Sequence, residues 1–317
     1  MKRTIAAAFS LLMLLAAAYA FLPRPGPAFP ATTVKIDKLL LLAAAVAGER
    51  VVAVGERGFI FLSDDYGASW RPARTPAQAT LTAVYFHDAR HGWAVGHDAV
   101  ILRTEDGGDT WSQTHAAPAE QKPLLDVWFD GSRHGFAIGA YGSFYESVDG
   151  GRSWRPRKIR ESDMHLNAIA GGADGALYIT GEAGTVLRSP DRGRSWVSLA
   201  SPYAGSFFGA LRPGDGGVVI YGLRGKIYRS SDAGRTWKPA DGKDPLAVLG
   251  GAVLGGGRVA LVGQNGALWL SRDHGKSFVL EKTPSRKTLT AVLPTPSGAL
   301  LTFGEGGVSR VDIEAIK

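Results

Sequence analysis

Cysteine is absent from the 317-residue chain. A disulfide framework, a thiolate zinc site and a cysteine nucleophile are therefore all excluded. The seven histidines are scattered, with no His-Glu-x-x-His or other paired metal spacing. Phosphate loops are missing too. Glycine runs such as Gly214-Asp215-Gly216-Gly217 are followed by no helical pattern, so they read as hairpin glycines. Nor does glycine fall at every third position, which excludes collagen. No cofactor is implied. Long apolar runs are lacking except at the N-terminus, where Ile5 to Leu22 is broken only by Ser10 and follows Lys2 and Arg3. With Ala18-Tyr19-Ala20 as a small-x-small cleavage site, residues 1–22 predict an export signal. The run of eighteen residues is also long enough for an uncleaved anchor. Either reading places the body outside the cytoplasm, periplasmic or anchored to the membrane facing the periplasm or lumen. Residues 23–30 form a Pro-rich linker.

What the chain has in excess is glycine, 42 residues, and the glycines keep time. An octad, Ser/Thr-x-Asp-x-Gly-x-Ser/Thr-aromatic, recurs six times around Asp65, Asp106, Asp149, Asp191, Asp232 and Asp273. The intervals are 41, 43, 42, 41 and 41 residues. In step with it runs Gly-x-x-Gly, at Gly55/Gly58, Gly139/Gly142, Gly181/Gly184, Gly222/Gly225, Gly263/Gly266 and Gly304/Gly307, with Gly96/Ala99 as the seventh copy. Each unit parses into four short strands, in the second unit Leu81–Phe86, Gly92–Gly96, Ala99–Thr104 and Thr110–Thr114. Four strands per repeat of this length predict an all-β, seven-bladed β-propeller over residues 31–313. The last unit stops after its third strand. Thr32, Thr33, Val34, Lys35, Ile36 and Asp37 are expected to supply the missing one and close the ring, removing two free sheet edges.

The octad resembles the Asp-box of sialidase-type propellers. Its Asp and Ser/Thr side chains are expected to bond the turn's own backbone, its glycine to allow the bend, and its aromatic ring to pack between blades. The Gly-x-x-Gly reads as a two-residue hairpin turn needing backbone angles that glycine tolerates. The run from His91-Gly92-Trp93-Ala94-Val95-Gly96 through Trp111, echoed from His134 to Trp154, resembles the blade pattern of the photosystem II stability and assembly factor family. That resemblance implies a seven-bladed, non-catalytic scaffold that binds membrane-protein intermediates through an arginine-rich surface. A protein partner in the cell envelope follows from it.

In such a blade the octad turn and the first hairpin lie on one face, and the Gly-x-x-Gly turns and inter-blade links on the other, where propellers place their sites. The links carry Arg71, Arg74, Lys122, Arg155, Arg157, Lys158, Arg160, Lys238, Lys243, Lys282, Arg286 and Lys287 against Glu120, Glu161, Asp163, Asp241, Asp244 and Glu281. The balance, 12 − 6 = +6, nearly equals the chain's net charge of +7. Arg71, Arg74, Arg155, Arg157, Lys158, Arg160, Arg286 and Lys287 are the candidate binding face, for an acidic protein surface or lipid head groups. A second series, Arg103, Arg188, Arg229 and Arg310, sits at a regular blade position, where inter-blade packing competes with binding. Nucleic acid is not indicated, because no basic-aromatic stacking surface is evident. The alternative is an Asp-box hydrolase, sialidase-like or a glycanase. It lacks the sialidase arginine signature, and only Glu56, Asp98, Glu182 and Glu305 on the turns leave room for a carboxylate pair.

Overall fold

Short strands that alternate with glycine turns cannot bury both faces alone, so neighbouring repeats must stack. A computed structural model describes residues 35–240 and 244–312; the export segment and linker lie outside them. The strands form seven antiparallel sheets, each in chain order. The first holds β1–β4 (Leu41–Ala47, Arg50–Gly55, Ile60–Ser63, Arg71–Pro72) and the second β5–β8 (Leu81–Phe86, Gly92–Gly96, Ile101–Thr104, Ser112–His115). The third holds β9–β12 (Leu124–Asp130, His134–Gly139, Phe144–Ser147, Arg155–Pro156) and the fourth β13–β16 (Leu166–Gly171, Leu177–Gly181, Val186–Ser189, Val197–Ser198). The fifth holds β17–β20 (Phe207–Leu211, Val218–Gly222, Ile227–Ser230, Lys238–Pro239) and the sixth β21–β24 (Val248–Gly255, Arg258–Gly263, Ala267–Ser271, Val279–Lys282). The seventh has β25–β27 (Leu289–Pro294, Leu300–Gly304, Gly307–Val311). No α-helix occurs among the described residues.

The core is divided among seven seams. Val52, Val54 and Leu62 of the first blade pack with Leu81, Ala94 and Trp111 of the second. Equivalent clusters join each following pair. The last seam joins Leu301 and Phe303 of the seventh blade to Leu41, Val51 and Phe61 of the first, so the blades form a ring. The octad aromatics work as expected. Trp70 meets Phe303 edge-on at 6.1 Å and Trp196 meets Phe144 edge-on at 5.9 Å, each across a seam.

Two expectations need adjustment. Among the described residues the seventh sheet has three strands. Ile36–Lys38 form a 3-10 turn beside β27, and Thr32–Val34 lie outside the described residues. The Gly-x-x-Gly is a two-residue hairpin only in the seventh blade, where Gly304 pairs with Gly307 across Glu305 and Gly306. In the other six it is a 3-10 turn whose third residue and following residue are left-handed, as at Arg57 (φ 56) and Gly58 (φ 71). The first glycine is extended, and steric closeness is what demands it. A Cβ on Gly55 would lie 2.1 Å from the Leu40 carbonyl oxygen, and one on Gly263 2.0 Å from that of Ala247. At this close approach every innermost strand slips register by one residue, as between Leu41 and Ala43.

Candidate functional site

The six octad aspartates are structural. In the first, Ser69 donates both its N–H and its hydroxyl to Asp65, at 2.8 and 2.5 Å, and Ser63 donates its hydroxyl at 2.7 Å. The pattern repeats at Asp106, Asp149, Asp191, Asp232 and Asp273. Hydrogen bonds from Ser69 hold the Asp65 carboxyl at about 2, and those from Ser195 do the same for Asp191. At Asp149 and Asp273 burial pushes the other way, yet the bonds outweigh it and leave both at about 2. A carboxylate so occupied is held ionised and committed to its own turn.

Three of the four turn carboxylates are engaged as well, while Asp98 stands exposed. Glu56, Glu182 and Glu305 accept N–H bonds from Leu40, His165 and Thr288, at 3.1 to 3.2 Å, just ahead of an innermost strand. Among the described residues, no group of three or more His, Asp or Glu side chains is placed to hold a metal.

Two members of the second arginine series staple blades together. Arg103 is 8 % exposed, donates to the Gly150 carbonyl of the next octad turn at 2.7 Å and pairs with Glu105. Arg229 reaches the His274 carbonyl of the following turn at 2.9 Å and pairs with Asp215. Arg188 and Arg310 stay within their own blades, on the Tyr178 and Ser297 hydroxyls.

The proposed basic face divides in two. Strands β4 and β12 are two residues long, so Arg71 and Arg155 follow the octad turn before the chain has crossed the blade. Arg71 pairs with Asp109 at 2.6 Å and Asp64 at 3.6 Å, while Arg155 stands exposed. The Arg74 backbone joins the next octad turn at Asp109 and Trp111. Arg157 donates to the carbonyls of Gly193 and Arg194 and pairs with Glu146. These four belong to the octad side of the seams. Lys158, Arg160, Arg286 and Lys287 lie on the Gly-x-x-Gly side, where Arg160 donates to Thr185 at 2.9 Å and Lys287 lies over Gly306.

What the structure assembles on that side is a cleft of about 430 Å³ between the second and third blades. Tyr141, Phe144, Tyr145 and His115 form its aromatic wall, with Lys122, Lys158 and Glu120 at the rim. His115 stacks on Tyr145 with ring centres 4.8 Å apart. Burial holds its imidazole below the ordinary value, and Nε2 is buried without a hydrogen-bond partner. Tyr141 is left-handed (φ 54) and 57 % exposed. Among the described residues Lys122 and Lys158 pair with the solvent-facing Glu120 and Glu161, contacts weak enough to be exchanged for a partner's. Charge counting missed Tyr141 and His115. The available signal was Tyr141, the one aromatic residue in the third place of a Gly-x-x-Gly.

Comparison with known proteins agrees with this architecture. The family described as photosynthesis system II assembly factor YCF48 matches residues 62–123 and 116–255. The photosystem II assembly protein Ycf48 of Thermosynechococcus vestitus is 43 % identical over 42 residues, 13 % of this chain and 12 % of that protein. The chloroplastic photosystem II stability/assembly factor HCF136 of Cyanidioschyzon merolae is 40 % identical over 47 residues, 14 % and 11 % of the two chains. The matched stretches thus span about an eighth of these curated relatives. A solved structure of YCF48 bound to D1 peptide superposes with a TM-score of 0.71 at 19 % identity, covering 92 % of this chain and 99 % of that one. The WD40 propeller of Doa1 reaches 0.69 at 14 % identity, covering 89 % and 95 %, so shape alone speaks for the propeller fold. The blade-by-blade sequence match is the narrower finding, and by it the chain belongs to the photosynthesis system II assembly factor YCF48 family.

Proposed function

We propose that this chain is a non-catalytic scaffold that holds a peptide segment of a membrane-protein intermediate during assembly, exported and working in the cell envelope. The observation that carries the reading is the cleft between the second and third blades. It offers an exposed aromatic residue over an aromatic wall and exchangeable cations at the rim, the mixture of anchor and polar groups that suits a protein segment. The solved relative holding a D1 peptide supports a peptide as the ligand class. The charged N-terminal apolar run supports export. A photo-crosslinking residue at Tyr141, compared in intact cells with one at the exposed Val279, tests it. Capture of a membrane subunit from position 141 alone supports the reading; the same proteins captured from both positions overturn it.

A further inference from the structure

A second cavity lies at the centre of the ring. All seven innermost strands wall a central cavity of about 250 Å³. At the residue after each register slip, four blades carry alanine and two carry glycine. The third blade carries Asp126. Its Oδ1 accepts the Val127 N–H at 2.8 Å, and its Oδ2 accepts the Ile169 N–H of the fourth blade at 2.9 Å. Those bonds use two of the roughly four lone-pair directions of a carboxylate. Ala83 and Ala168 flank it, and among the described residues no basic side chain pairs with it. Tyr221 is the other titratable group lining the cavity, its ring against Gly209. Asp126 is half-buried, open only toward the cavity, and a lone carboxylate so enclosed is costly unless neutral or matched by a cation. Consistently, burial pushes the Asp126 carboxyl up to about 7 against its two N–H bonds, and burial followed by the Asp126 charge pushes the Tyr221 hydroxyl upward.

We propose that this cavity is a cation site, in which Asp126 takes the ammonium end of a short aliphatic primary amine whose chain lies against Leu125, Phe208 and Leu249. The Tyr221 hydroxyl is a second oxygen for the ammonium's donors. This site is independent of the cleft and of the scaffold reading.

Calorimetric titration of the full-length chain with n-butylammonium at constant ionic strength tests it, with tetramethylammonium as the cation that has no N–H. Asp126→Ala installs the residue that four other blades carry and should fold as wild type. The site predicts butylammonium binding that tightens at least about tenfold between about pH 5.5 and about pH 8.5 as Asp126 ionises. It also predicts a loss of at least about tenfold in Asp126→Ala and no competition from tetramethylammonium. No binding at the higher pH, or equal affinity in the variant, overturns it.

Discussion

A carboxyl group holds its proton according to its surroundings, and this chain contains both extremes. Asp65, Asp149, Asp191 and Asp273 are held near 2 by Ser donors, and Asp106 and Asp232 are lowered by Thr and Ser donors, against about 3.9 in an unfolded chain. Their folded values are depressed, so their stabilisation is fully present above about pH 4 and fades as pH falls towards about 2. Asp126 is raised, to about 7, and acts in the opposite sense. Its contribution is greatest below about pH 4 and is lost as pH rises through about 7. Melting temperature against pH should therefore fall steeply on the acid side, with Asp126→Ala gaining on wild type between about pH 5 and about pH 8. An unchanged difference across that range would contradict the assignment. Glycine supplies a second residue-scale test. Gly263→Ala forces a Cβ against a backbone carbonyl and should cost about 3 kcal/mol in urea unfolding. Ala99 is left-handed (φ 51) where the other turns have glycine, so Ala99→Gly should be neutral or stabilise by up to about 1 kcal/mol.

At the scale of the strand and turn, the sequence was legible wherever spacing alone fixed the outcome. The seven Gly-x-x-Gly copies located the second and third strands to within two residues: in the second blade Ala99 turned out to belong to the turn, and β7 begins at Ile101. The octads announced six outer turns. Cations were not legible in the same way, because a long side chain can cross a seam that spacing does not reveal. Arg71 and Arg157 sit in links by sequence, yet both reach the next blade's octad turn. Burial is the discriminator for the arginines. Arg103→Ala removes a nearly buried staple and should destabilise by about 1–3 kcal/mol, whereas Lys158→Glu, exposed on a link, should stay within about 0.5 kcal/mol. Equal losses in denaturant titrations of the two variants would mean that the staple assignment is wrong.

For the whole molecule, closure leaves little to spare. Each blade buries its second strand between two neighbours, and the seventh reaches back to the first through the Thr290 hydroxyl, which donates to the Leu41 carbonyl at 2.7 Å. The blade number and ring were readable from repeats, since repetition fixes how many sheets must stack. The cleft was not, because His115, Lys122, Tyr141 and Lys158 converge only once two blades meet. The most direct test of a scaffold that grips a protein segment there is the affinity of the purified chain for a fluorescent peptide from the membrane subunit captured at position 141, in wild type and in Lys122→Glu/Tyr141→Ala/Lys158→Glu. A peptide seated in the cleft should bind at least about tenfold more weakly to the triple variant at an unchanged melting temperature. Equal affinity in the two proteins, or no binding to either, would contradict it.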